Sequence, residues 1–375
     1  GDSNVGVVRA GQQPLYAALQ PNSSRVFVSN SDGSITSFTP ASILSSIGAP
    51  STITLPAGLV PGFLFSTESG TMYAATTGTD TTDCPTAPNT GAIVTINASS
   101  LAIENVICVH PTPTVLAETS DGRKLYSVNS DGTVSSINVA DKSVNAAISC
   151  ATCSTSLNSP VWAVASLDSS KIFILDQTGI VWVIDTFTDQ PSVPGSQTAS
   201  PSNFMALDSR HNRLYITSSA VPATVRILDA SSAALSSVIA APLTLPSGTT
   251  PVMVSFPPAG TAAYVLSANG ASPVVSVIST SSNTILSTIN LPSATANPSA
   301  IAACQATGVH PFTMAASGNS ARLYVTNCYS SSTDIIDTST NRRILTMNSP
   351  TSAYPPAVSS NFPPPQNPVF VVAGP

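Results

Sequence analysis

Charge is what this chain has least of. Charged residues occupy 8% of its 375 positions, against roughly a quarter in an ordinary soluble domain. Lysine occurs only at Lys124, Lys142 and Lys171, and histidine only at His110, His211 and His310. Lys and Arg number 12 and Asp and Glu 18, a net charge of −6, so the sequence carries no electrostatic footprint for nucleic acid or anionic lipid. No stretch approaches the roughly 18 consecutive apolar residues of a membrane-spanning helix, and no membrane span is expected. The opening Gly1-Asp2-Ser3-Asn4 has neither the basic nor the apolar region of a signal peptide. It reads as a mature terminus left after such a peptide is removed.

The chemistry-bearing motifs are missing too. There is no H-E-x-x-H for zinc, no G-x-S-x-G nucleophile elbow and no glycine pattern that cradles phosphate. The acidic residues are scattered singly, and Asp32 and Asp131 are explained by the turns they sit in. Cys150-Ala151-Thr152-Cys153 is followed by Ser154, which excludes a c-type haem attachment, and no second C-x-x-C accompanies it to make a zinc site. His110 and His310 each stand just before a proline near the start of a predicted strand, and are read as unrelated loop histidines. Trp162 and Trp182 are read as core packing rather than a sugar platform. The expectation is therefore a protein that is not an enzyme, with no catalytic residue, no cofactor and no metal.

What is present is a large apolar fraction, 42%, under a surface that Ser, Thr, Asn and Gln must cover. Such a weakly charged surface repels its own copies weakly. Six cysteines, an even number, point to disulfides and an oxidising, extracellular compartment. Cys150 with Cys153 forms the local pair. Cys84 with Cys108 and Cys304 with Cys328 are the nearest remaining partners, among 15 possible connectivities. N-glycosylation sequons start at Asn22 and Asn97.

The strongest signal is an internal repeat. Seven times a proline opens a short apolar run, and about 13 residues later an aromatic stands inside a second run. The prolines are Pro14, Pro61, Pro113, Pro160, Pro201, Pro251 and Pro311, and the aromatics are Phe27, Tyr73, Tyr126, Phe173, Tyr215, Tyr264 and Tyr324. Third and fourth β-branched runs follow, joined by turns such as Ser31-Asp32-Gly33 and Ser130-Asp131-Gly132, the Asp-Gly chemistry of tight hairpins. The runs are too short for helices. Successive aromatics lie from 42 residues apart (Phe173 to Tyr215) to 60 apart (Tyr264 to Tyr324). Four short strands at that period read as propeller blades. The expected fold is all-β, a seven-bladed β-propeller of four-stranded antiparallel blades over residues 1–348. A stacked β-solenoid is the rival, but its rungs are usually shorter than this unit.

Tyr324-Val325-Thr326-Asn327 resembles the signature of the YVTN family of β-propeller repeats, with weaker echoes at Phe27-Val28-Ser29-Asn30, Tyr126-Ser127-Val128-Asn129 and Tyr215-Ile216-Thr217-Ser218. The resemblance implies the propeller fold and an extracellular or cell-surface setting. Some similar propellers are lactonases, so it does not choose a function.

A surplus remains. Val5–Arg9 precedes Pro14 as a fourth strand precedes a first, yet the seventh repeat has its own fourth run around Arg343–Met347. Residues 349–375 form a Pro-rich tail whose last ten, from Gln366 to Pro375, parallel Gln12 to Pro21. This is a first strand with no blade behind it. One expectation is that it packs on its own domain. The sharper one is that Pro368, Val369, Phe370, Val371 and Val372 dock on a neighbouring copy by strand addition. Head-to-tail self-association of that kind builds filaments. The leading functional expectation is accordingly a secreted, non-enzymatic structural subunit of a surface filament. The alternative is a monomeric periplasmic or surface propeller that binds a ligand or acts as a lactonase-like hydrolase.

Overall fold

The computed structural model describes residues 8, 10–21, 25–39, 50–78, 82–85, 90–148, 157, 159–193, 200–259, 261–292, 304–305, 311–348 and 370–373. Within them, 28 strands form seven four-stranded antiparallel sheets, each made of four consecutive strands in sequence order. These are the blades of a seven-bladed β-propeller. Their first strands start at or next to the repeat prolines: Pro14–Leu19, Val60–Ser66, Pro113–Glu118, Pro160–Ala165, Ser202–Asp208, Thr250–Ser255 and Phe312–Ala316. Their second strands carry the repeat aromatics, from Phe27 on Val26–Asn30 to Tyr324 on Arg322–Asn327. The proline position is the one where a missing N–H is cheapest. The fourth strand of blade 7 is Arg342–Asn348, so that blade is complete without the N-terminal run, most of which lies outside the described residues.

The chain divides into two compact units, residues 54–254 and residues 1–53 with 255–375. In the first unit the middle strands of each blade are buried on both faces, which is why they read as nearly unbroken apolar runs. On blade 3, Leu125 and Ile137 pack with Tyr73, Ile93 and Val109 of blade 2. From the opposite face of blade 3, Tyr126, Val128 and Val134 pack with Ile172, Ile174 and Trp182 of blade 4. Phe173, Leu175 and Val183 in turn face Met205, Leu214 and Ile216 of blade 5. Successive side chains alternate between the two faces of a strand, so blades 3 and 4 each pack against both of their neighbours.

The turns explain the aspartates. Asp32, Asp121, Asp131, Asp141, Asp168, Asp176, Asp185, Asp208, Asp229 and Asp337 each accept a backbone N–H from two residues further on, the Asx-turn bond that Asp makes better than most residues. Gly132, at φ 80°, completes one such turn, and a Cβ there would collide with the carbonyl oxygen of Leu157. Both long-range disulfides expected from the sequence are present, Cys84 with Cys108 and Cys304 with Cys328. Cys150 and Cys153 lie outside the described residues, as do Asn22 and His310.

A second regularity ties one blade to the next. The turn between third and fourth strands ends on a residue with positive φ: Leu101, Lys142, Asp189, Leu235, Asn283 and Asn341. Where that residue is polar, the preceding blade can offer a tyrosine hydroxyl. Tyr126 donates to Asp189 Oδ1 at 2.5 Å, Tyr264 donates to Asn341 Oδ1 at 2.7 Å, and the Lys142 ammonium donates to the Tyr73 hydroxyl at 3.2 Å. Where it is Leu235, the preceding blade offers Phe173, and the two share an apolar cluster.

Candidate functional site: aromatics on the innermost strands

In unit 54–254 the first strands of blades 2 to 5 lie side by side. Three of them present aromatic side chains that are not fully buried: Phe63 and Phe65 on blade 2, Trp162 on blade 4 and Phe204 on blade 5; Phe65 packs against the cluster between blades 2 and 3. A register shift positions two of these. On blade 4 Pro160 faces Asp176, the ladder skips a residue, and Trp162 then faces Leu175. On blade 5 Ser202 faces Ser218, and Phe204 faces Thr217 after the same skip. The extra residue tilts the ladder and re-aims the following side chain. The rings converge as a result. Trp162 and Phe204 have centroids 4.5 Å apart at 39°, and Phe63 meets Trp162 edge-on at 5.8 Å and 80°. These are the separations at which aromatic pairs attract. Trp182, by contrast, is 2% exposed inside the cluster between blades 3 and 4. Core packing describes Trp182 fully and Trp162 only in part.

The titratable groups are held by structure rather than aimed at this cluster. His110 Nδ1 lies 2.8 Å from Asp131 Oδ2, and His211 Nδ1 lies 2.7 Å from Asp208 Oδ2. Each histidine thus braces an Asx turn. Asp189 accepts from Lys124 Nζ at 2.9 Å and Asn145 Nδ2 at 2.9 Å besides Tyr126. Burial works to raise its pKa, but these three donors outweigh it and hold the carboxylate below its ordinary value. Glu118, at the end of the first strand of blade 3, is the opposite case. Burial pushes its pKa up to about 7; Lys142 pulls it down, while Asp121 and Glu68 push it up. Asn97, the second sequon asparagine, accepts from the N–H groups of Ser99 and Ser100 and donates to Glu104 Oε1 at 3.0 Å. Among the described residues no three His, Cys, Asp or Glu side chains gather in a way that holds a metal ion. No described helix is long and apolar enough to cross a membrane.

Of the tail, Pro368 and Val369 lie outside the described residues. Phe370, Val371, Val372 and Ala373 are described and belong to none of the seven sheets. The Phe370 ring rests on Tyr16 of the first strand of blade 1, with centroids 4.2 Å apart at 41°.

No protein-family profile and no curated protein matches the chain. Solved structures do resemble it. The dihydro-heme d1 dehydrogenase NirN in complex with DHE aligns over 92% of this chain and 66% of its own, with a TM-score of 0.64 and 15% identity. This chain thus spans just under two thirds of that protein. Kuenenia stuttgartiensis hydrazine synthase aligns over 88% of this chain and 78% of its own, with a TM-score of 0.54 and 14% identity. Citrobacter koseri AztD in its apo form aligns over 89% and 86%, with a TM-score of 0.58 and 12% identity. At such identities the likeness concerns the fold.

One expectation is corrected by these findings. The filament subunit joined by donated tails does not stand. The donor segment's own aromatic, Phe370, is engaged by Tyr16 of the same chain, and the solved chains that resemble this one are named as a dehydrogenase, a hydrazine synthase and AztD. The physical reason is proximity. A tail tethered to the chain that carries its seat meets it at a far higher effective concentration than a neighbour's tail does.

Proposed function

We propose that this protein is a ligand-binding β-propeller that takes up a planar, apolar group against Trp162, Phe204 and Phe63, and catalyses no reaction of its own. The observation that carries this reading is the convergence of three incompletely buried rings on the innermost strands. Trp182, by contrast, is sealed inside the core. The absence of a catalytic role is supported by the engagement of the aspartates in turns and of His110 and His211 with aspartates. Secretion is part of the proposal, and the two disulfides accord with an oxidising compartment. So is membership of the YVTN repeat class, supported by Tyr324-Val325-Thr326-Asn327 lying on the second strand of blade 7.

The test is calorimetric titration with 1-anilinonaphthalene-8-sulfonate as the probe. Trp162→Ala should weaken binding about tenfold, as the loss of one aromatic contact implies, while the thermal transition stays cooperative. Unchanged affinity in Trp162→Ala and Phe204→Ala alike refutes the reading.

A further inference from the structure

Tyr16 and Trp162 occupy the same place in their blades. Pro14 faces Asn30, the ladder skips a residue, and Tyr16 then faces Ser29, just as Pro160, the same skip and Trp162 follow on blade 4. Trp162 finds its ring partner in Phe204, the residue at the same register position of blade 5, at 4.5 Å and 39°. Tyr16 finds its partner in Phe370, at 4.2 Å and 41°. The two pairs have nearly one geometry. In the second, however, the partner ring comes from the tail, and it is the tail residue that aligns with Tyr16 itself when Gln366–Pro375 is set against Gln12–Pro21.

The hold on the tail differs from that on a blade strand. Phe370 to Ala373 join no sheet and stay partly exposed, so for these described tail residues side-chain burial, at about 25 cal/mol per Å², carries the contact rather than a β-ladder. Tyr16 itself is partly buried, and desolvation pushes its hydroxyl well above the ordinary tyrosine range.

We propose that the first strand of blade 1 carries a second aromatic binding seat, centred on Tyr16, which takes a planar apolar ring and which the chain's own C-terminal segment occupies through Phe370 as a displaceable strap. Phe370 stands where the ring of an incoming ligand would lie. This inference does not depend on the reading of Trp162, because the two seats are built from different residues in different units.

The experiment counts bound 1-anilinonaphthalene-8-sulfonate per chain by equilibrium dialysis. Phe370→Ala should bind one more equivalent than the unmodified protein, and Phe370→Ala with Tyr16→Ala should lose it again. The gain should persist when Trp162→Ala is added, which separates this seat from the other. If Phe370→Ala melts without a cooperative transition, Phe370→Leu, which keeps an apolar side chain but removes the ring, takes its place with the same expectation. No extra equivalent, or an extra equivalent that survives Tyr16→Ala, overturns the proposal.

Discussion

Asp189 shows how much one residue can hold. Its carboxylate receives a hydroxyl, an ammonium and an amide, all from blade 3, while sitting in a turn of blade 4. Removing a buried charge partner leaves its donors unsatisfied, which typically costs several kcal/mol; Lys124 is 30% exposed, which moderates the loss. Asp189→Leu should therefore destabilise by roughly 2–3 kcal/mol in urea unfolding. The native pair Phe173 with Leu235 shows that the same position also works with apolar chemistry. Tyr126→Phe combined with Asp189→Leu should thus cost less than the sum of the single changes, with a coupling of about 1 kcal/mol. Strict additivity would mean that the tyrosine hydroxyl and the turn residue are not matched.

Glu118 makes a prediction about pH at the same scale. Its folded pKa, about 7, lies above the value of roughly 4.3 expected in an unfolded chain. Between those values the folded state binds more protons than the unfolded one, so stability falls as pH rises through that window and levels off above it. Part of the side chain remains solvated, so the effect is discounted to about 1 kcal/mol. Glu118→Gln should flatten this descent and leave the protein more stable than the unmodified form at pH 8. An unchanged pH profile would contradict the assignment.

At the scale of the element, the seven first and second strands were legible because two local rules coincide in each. A proline marks where the strand starts, and a buried aromatic marks the strand behind it. The two long-range disulfides followed from sequence proximity, each spanning 24 residues. Removing Cys304 with Cys328 by double alanine substitution should cost about 2–4 kcal/mol through the freedom returned to the unfolded chain; a midpoint unchanged in denaturant would count against it. Fourth strands were harder to see, since Gln190–Ser192 and Leu243–Thr244 are too short to show a period. The matching of Tyr or Phe to the turn residue of the next blade was written in the sequence all along, as Tyr126 with Asp189 and Phe173 with Leu235. It stays invisible until the third-to-fourth-strand turns are aligned, because the partners lie more than one repeat apart, 63 residues for Tyr126 and Asp189.

At the scale of the whole molecule, function was far less legible than fold. The sequence shows Trp162 on a first strand, but not that a skipped residue in the ladder turns it toward Phe63 and Phe204, which carry no motif. It shows an apolar tail that needs a partner, but not that the partner is Tyr16 of the same chain. Repeats specify which residues are equivalent, whereas a site depends on which equivalents differ: Trp162 and Phe204 meet each other, while Tyr16 meets Phe370.

The central claim is that Trp162 meets ligand, and its fluorescence reports on this directly. In Trp182→Phe the emission comes from Trp162 alone, because the chain has two tryptophans. Titration with a planar apolar quencher that absorbs no light at the excitation wavelength should extinguish this emission saturably, with the same midpoint that calorimetric titration with that quencher gives. Emission that declines only linearly, as it does for collisional quenching in solution, would contradict the account.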